Sequence, residues 1–436
     1  MLDDPLDRRR FLVGLAQCAV TACAGSQLGN SSGLEPSEDS RPVHTRNTVE
    51  LRKPYAVPYE VREIRDTTFV LRPDFRMPYT EGLPLGLTPR GAIWVPPNHP
   101  GLLIRGCQIV GWSDRWLDRW SSNHPDWIGR DGSSRPFQEC AGITADYVDG
   151  LTIEDVQIER MPGSGLYLAA VRDVSVQRLQ TRRCFSAVLL DYYSSAAEFR
   201  RAQLPRRLSS DVLLDGCIAM DNWNGGYPER TDQYRDIYDP PECIGSMGFY
   251  LYSADRLTVR RCISIGSNKG GIKLGHCRDT LIEDFYGRSI QLMGCLYWSE
   301  SRGPHQLETV AVGSPSDPLL SERIRVVNPT LNKGASLTPP DWDYWPISCV
   351  FPHRTPVQIE GGHIWAQNPP KIGYIQAWEG VAVDVRGVTF HGPKPTAART
   401  PGSGGLFSIG DYGSRKSRPS SINEDLLTVN EWREAD

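Results

Sequence analysis

The chain is poor in the features that mark most functional classes. It has only eight histidines and six methionines, and no Cys-x-x-Cys pair. Its His and Cys residues do not fall at zinc-finger spacing, so a structural zinc site is not expected. The net charge of -4 gives no basic surface for nucleic acid. Helix-forming amphipathic runs are few, while 41 glycines and 34 prolines supply many turns. One short apolar run, Phe11 to Ala22, stands at the N-terminus and is too short to cross a membrane.

That run follows Asp7-Arg8-Arg9-Arg10-Phe11-Leu12, which resembles a twin-arginine export signal. Val20-Thr21-Ala22-Cys23 resembles a bacterial lipobox, with Cys23 as the residue that would carry lipid; the alternative is an ordinary signal cut near Ala22 or Ala24. The expected layout is an export signal over 1–23, a Ser/Gly/Pro-rich tether over 24–50 and an N-terminal cap over 51–90. The expected destination is the periplasm, the outer surface or the medium, with the membrane reached only through the lipid. Exported proteins can form disulfides. Cys107, Cys217 and Cys262, however, hold one repeated position and suit a column of buried thiols.

What the chain does have is a repeat. Aliphatic, any residue, aliphatic, two residues, then Cys or another apolar residue occurs nine times. The first five copies are Leu102-Ile104-Cys107, Leu151-Ile153-Val156, Val174-Val176-Leu179, Val212-Leu214-Cys217 and Leu257-Val259-Cys262. The others are Thr280-Ile282-Phe285, Ile324-Val326-Pro329, Val357-Ile359-Gly362 and Val383-Val385-Val388. The step is 23 residues from 151 to 174 and again from 257 to 280. Alternation over two residues makes each copy a β-strand, and a fixed short period with loops of varying length makes a solenoid.

A second apolar strand follows each copy: Gly165-Leu166-Tyr167-Leu168, Ala187-Val188-Leu189-Leu190, Gly248-Phe249-Tyr250-Leu251, Gly271-Ile272-Lys273-Leu274 and Ser289-Ile290-Gln291-Leu292. Glycine before the strand suits a tight bend. Asn222 and Asn268 fall at turns, where an asparagine would bond the next rung's backbone. The rung Asp255-Arg256-Leu257-Thr258-Val259-Arg260-Arg261-Cys262, continued by Ser267-Asn268-Lys269-Gly270-Gly271-Ile272-Lys273-Leu274, resembles the right-handed parallel β-helices of the pectate-lyase-like superfamily. The resemblance covers roughly residues 90–390. It implies an all-β, single-stranded right-handed parallel β-helix over 91–391, with 392–436 as a loose cap or partly disordered tail. It also implies a secreted protein acting on polysaccharides as lyase, hydrolase or epimerase, or a non-catalytic surface protein. The Gly-x-Asp-Asp of polygalacturonases and the Asp-Pro-His of mannuronan epimerases are missing, as are the Asp-His pairs of pectate lyases. No subfamily is thereby assigned.

Four insertions interrupt the rungs, at 111–140, 194–208, 221–247 and 333–353. Long loops on a rigid repeat commonly make its binding face. The first and fourth carry six of the tryptophans: Trp112, Trp116, Trp120, Trp127, Trp342 and Trp345. Either packing anchors or glycan platforms would use them so.

Alternation places the middle residue of each second strand outward. Tyr167, Leu189, Tyr250, Lys273 and Gln291 then form one strip, with Asp191, Tyr192, Tyr252 and His276 just beyond. Tyrosine faces suit sugar rings, and polar tips suit hydroxyls; an ordinary solvated sheet face has the same composition. For a lyase, Lys273 would be the base, His276 a rival base and Tyr250 or Tyr252 the proton donor, while Tyr167, Tyr192, Tyr252 and Gln291 would bind substrate. Arg200, Arg201, Arg206 and Arg207 would grip an anion. For a hydrolase, the paired carboxylates would come from Asp191, Asp221, Asp236 and Asp239. The acidic segment 229–242 offers oxygen ligands for Ca²⁺ without EF-hand spacing, and a solvated loop explains it as well. A monomer is expected.

Overall fold

The computed structural model describes residues 47–72, 74–75, 91–111, 140–161, 163–191, 207–222, 247–267, 270–294, 313–314, 317–318, 320–331, 346–350, 353–365, 374–378, 380–392, 403–404, 406–410 and 420–431. Residues 46–436 belong to one compact unit. The segment expected to be an export signal and Cys23, the residue expected to carry lipid, lie outside the described residues.

Strands recur in a fixed cycle of three, and each pairs with the strand one cycle later. Three long sheets result, with 12, 12 and 11 strands. We call them A, B and C, after the order in which the chain first enters them at Asn47–Leu51, Tyr55–Ala56 and Glu63–Arg65. Almost all pairing is parallel; the exceptions are the small hairpin Gly313–Ser314 with Asp317–Pro318, and Ser403–Gly404 against Phe407–Gly410. The nine-fold sequence repeat is the strand of sheet C plus its turn into sheet A. The second apolar strand is sheet B. Sheet A is the element that periodicity does not reveal, because most of its strands are two to four residues long.

The aliphatic positions stack. Ile104, Ile153, Val176, Leu214, Val259, Ile282, Val326, Ile359 and Val385 pair in unbroken register through sheet C. All are buried. Each such side chain contributes about 1.5–3 kcal/mol on burial. Cys107, Cys217 and Cys262 are buried thiols at the same position of three rungs. The Cys217 thiol donates to the Val176 carbonyl and the Cys262 thiol to that of Leu214. Burial pushes the thiols of Cys184, Cys277 and Cys349 up to about 12.

The residue before the Cys position explains why the chain turns there. Gly106, Asp155, Arg178, Gly216, Arg261, Asp284, Asn328, Gly361 and Gly387 all have φ between 50° and 64°. One left-handed residue per rung breaks the strand of sheet C and redirects the chain into sheet A. Gly, Asn and Asp tolerate this backbone; arginine does so at a cost of about 1–2 kcal/mol. Both arginines at this corner are ion-paired. Arg178 grips Asp155 of the preceding rung through two nitrogens, at 2.6 and 2.9 Å. Arg261 does the same to Asp215.

Glycine before the sheet B strand has a steric cause. A Cβ on Gly271 would stand 2.5 Å from Phe285 Cζ and 2.9 Å from the Ser289 carbonyl oxygen. Asn222 is fully buried at its turn. Its amide makes no hydrogen bond among the described residues, so the expected bond to the next rung is not made. Asn268 lies outside the described residues.

Two boundaries expected from the sequence shift. Residues 47–65 form a regular first rung, paired to the rung containing Thr67–Leu71, Gly91–Val95 and Leu102–Arg105. The coil therefore starts inside the supposed tether and cap. It also runs past 391, since Ser421–Asp425 and Thr428–Glu431 continue sheets C and A in register.

Candidate functional site on the outer face of sheet B

The strip expected from alternation is present in the backbone. Thr144, Tyr167, Leu189, Tyr250, Lys273, Gln291, Ser348 and Gln376 are successive register partners in sheet B. Their chain neighbours Leu166, Leu168, Phe249, Leu251, Ile272, Leu274, Ile290 and Leu292 fill the core, so the row faces out. Adjacent rungs of such a sheet stand about 4.8 Å apart.

The row changes character along its length. At one end Tyr167 and Leu189 join Ala141, Tyr147, Ala169 and Ala170 in a second apolar cluster, separate from the coil interior. Tyr167 is only 4% exposed, so its outward ring is covered and offers no open face to a ligand. At the other end Ser348 and Gln376 are buried and bonded to each other at 2.7 Å. Between the two ends lie Tyr250, Tyr252, Lys273, Gln291 and Met293, all half-buried. Tyr250 stacks on Phe185 at 5.4 Å with 9° between the rings, and Tyr252 tilts against it at 6.0 Å. That packing holds the Tyr250 ring in place while leaving part of it accessible. Lys273 is the register partner of Tyr250 on one side and of Gln291 on the other.

His276 does not belong to the accessible face. It occupies the left-handed corner between sheets B and C, with φ 54°, and is fully buried. Burial alone pushes its imidazole down to about 4. A general base must reach the proton it removes, and the buried His276 ring offers no such access in this structure. Arg207 is likewise engaged. Its Nη2 lies 2.7 Å from the Asp149 carboxylate, its Nε donates to the Ala170 carbonyl, and its guanidinium lies over the Tyr147 ring at 5.3 Å. It ties the corner to the apolar cluster instead of awaiting an anion. Asp221 sits at a sheet A corner, with its carboxylate 3.6 Å from Arg182 Nε, and not on the strip. Tyr192, Arg200, Arg201, Arg206, Asp236, Asp239 and the acidic segment 229–242 lie outside the described residues.

A neighbouring row holds a carboxylate that the sequence reading missed. Asp146, Ala169 and Asp191 are register partners. Two carboxylate-bearing positions therefore share one row, two strand spacings or about 9.6 Å apart at Cα. Asp146 is fully buried; Asp191 is placed by its backbone, at the end of the strand Val188–Asp191. The signal was available, because Gly142-Ile143-Thr144-Ala145-Asp146 repeats the pattern of Gly165-Leu166-Tyr167-Leu168-Ala169. Among the described residues, no three His, Cys, Asp or Glu side chains converge as metal ligands.

Three parallel sheets wound in one cycle decide the architecture. The chain is a right-handed parallel β-helix. No family profile matches this β-helix, and no curated protein matches it in sequence. Solved structures do resemble it. One is the catalytic unit of a thermostable alpha-1,3-glucanase from Streptomyces thermodiastaticus, at 12% identity and TM-score 0.33, over 89% of this chain and 64% of that one. Another is the surface adhesin PfbA of Streptococcus pneumoniae, at 10% identity and TM-score 0.37, over 88% and 82%. A third is pectate lyase Pel9A, at 11% identity and TM-score 0.31, over 84% and 68%. The β-helix spans less than two thirds of the glucanase chains it resembles. Identities this low transfer no activity, since one scaffold hosts many functions.

Proposed function

We propose that the outer face of sheet B binds and cleaves an acidic polysaccharide by β-elimination. The observation that carries this reading is the register Tyr250–Lys273–Gln291, with Tyr252 beside it, in the accessible middle of an otherwise covered row. In this reading the neutral Lys273 amine takes the proton beside a uronate carboxylate. The electron pair forms the new carbon–carbon double bond, and the bond to the leaving glycosidic oxygen breaks. The Tyr250 hydroxyl gives that oxygen its proton. Tyr252 and Gln291 hold the flanking sugars. Arg200, Arg201 and Arg206 remain the proposed carboxylate grip. Export on the N-terminal signal, lipid at Cys23 and a monomeric state belong to the same proposal.

Hydrolysis is the second reading, favoured by Asp191 and Asp146 sharing one row. The carboxylates of an inverting hydrolase stand roughly 6.5–9.5 Å apart with a water between them, and this reading requires the buried Asp146 to become reachable beside Asp191. The test is incubation with uronate-containing and neutral polysaccharides while ultraviolet absorbance and reducing ends are followed together. Elimination raises both signals; hydrolysis raises reducing ends alone. Lys273→Arg replaces the neutral amine with a group that stays protonated and should abolish elimination, whereas Asp191→Asn should abolish hydrolysis. Binding without either signal would make the face a glycan-recognition surface and overturn both readings.

A further inference from the structure

On the outer face of sheet A, far along the coil, two histidines meet. His363 opens the strand His363–Trp365, and His391 lies in Thr389–Gly392 of the next rung. Register pairs His363 with Thr389 and Trp365 with His391, so the two imidazoles are diagonal neighbours. The intervening Ile364 and Phe390 point into the core and are fully buried, which anchors both strands. His363 Nδ1 stands 3.0 Å from His391 Nε2. The Trp365 indole stacks on the His391 ring at 4.3 Å with 8° between planes, holding that ring in one orientation. His363 is exposed and can swing.

We propose that His363 and His391 form a bidentate site for a divalent transition ion of the Cu²⁺ or Ni²⁺ type, with water filling the remaining positions. Two metal–nitrogen bonds of about 2.0–2.1 Å at a cis angle put their nitrogens about 2.8–3.0 Å apart, close to the 3.0 Å between Nδ1 and Nε2 here, so a small movement of His363 lets both rings meet one ion. Imidazole suits copper and nickel, and Cu²⁺ binds a given nitrogen site more tightly than its first-row neighbours. The hydrogen bond between the rings is exchanged for two metal bonds by a rotation of the exposed His363 ring. Trp365 maintains the other donor, the part that an outer-shell residue plays in many metal sites. Lys273 and its row belong to a different sheet, so this site does not rest on the catalytic proposal.

The test uses the full chain without a polyhistidine tag, titrated calorimetrically with Cu²⁺, Ni²⁺ and Zn²⁺ in separate experiments. The expected result is one Cu²⁺ site per chain that weakens at least ten-fold in His363→Ala and equally in His391→Ala. The double variant should be no weaker than either single one, because one lost ligand already ends chelation. Spin resonance of the bound Cu²⁺ should show two imidazole nitrogens in the wild type and at most one in each variant. Bound Cu²⁺ should also quench tryptophan emission, because the Trp365 indole lies 4.3 Å from the His391 ring, and the quenching should be lost in His363→Ala and in His391→Ala. Cu²⁺ affinity unchanged in both single variants, or a wild-type spectrum without two nitrogens, would overturn the site.

Discussion

His276 gives the sharpest stability prediction. Its imidazole is fully buried at a left-handed corner, and burial lowers it from 6.5 to about 4. The folded protein therefore keeps the ring neutral, while the unfolded chain takes up a proton below pH 6.5. Between these values the unfolded state binds more protons, so stability falls as the pH falls. The contribution is fully present above about pH 6.5 and is lost as the pH drops toward 4. The gap corresponds to about 3 kcal/mol in total. Asparagine tolerates the left-handed backbone and does not titrate here, which makes His276→Asn the probe. Denaturant unfolding of both proteins at several pH values should give parallel lines above pH 7. From pH 6.5 to 4 the wild type should lose about 3 kcal/mol more than the variant. Carboxylates such as Asp155, Asp211 and Asp279, held below 3.8 by hydrogen bonds from Arg178, Arg256 and Arg323, act in a more acidic window and leave this one clean. Parallel curves down to pH 4 would refute the assignment of His276 as a buried, neutral residue.

Other expectations follow from the coil itself. Gly271→Ala drives a methyl group into Phe285 and should cost about 1–3 kcal/mol, visible as a lowered Tm. Arg178→Gly relieves a strained left-handed arginine while breaking an exposed ion pair worth under about 1 kcal/mol. Stability should then stay within about 1 kcal/mol of wild type, as read by urea unfolding at low and high salt. The seven described cysteines are buried thiols. Alkylation followed by peptide mass mapping should leave them unmodified in the native protein at pH 8 and modify them all in denaturant.

The repeat was legible because burial forces it. Inward positions of sheet C must be aliphatic on every rung, so Ile104, Ile153, Val176 and their partners write the period into the chain. The outward strip was legible by the same alternation, and Tyr250, Lys273 and Gln291 stand where it puts them. Alternation stops at the strand's end, which is why His276 was misplaced: it is a corner residue with φ 54° and is buried instead of standing on the accessible face. Arg207 was misread for a different reason. A cluster of arginines looks like an anion site until Asp149, distant in sequence, is brought 2.7 Å from it. Sheet A strands such as Tyr286–Gly287 are too short to show a period of two. The His363–His391 contact, built on those strands, was invisible for the same reason.

The central claim is that the Tyr250–Lys273–Gln291 face performs elimination on a uronate polymer. The most direct measurement compares wild type, Lys273→Arg and Lys273→Ala in the paired ultraviolet and reducing-end assay, with folding checked by circular dichroism. The account predicts a wild-type rise in both signals and the loss of both in each folded variant. Undiminished cleavage by folded Lys273→Ala, or reducing ends appearing without ultraviolet absorbance in the wild type, would contradict it.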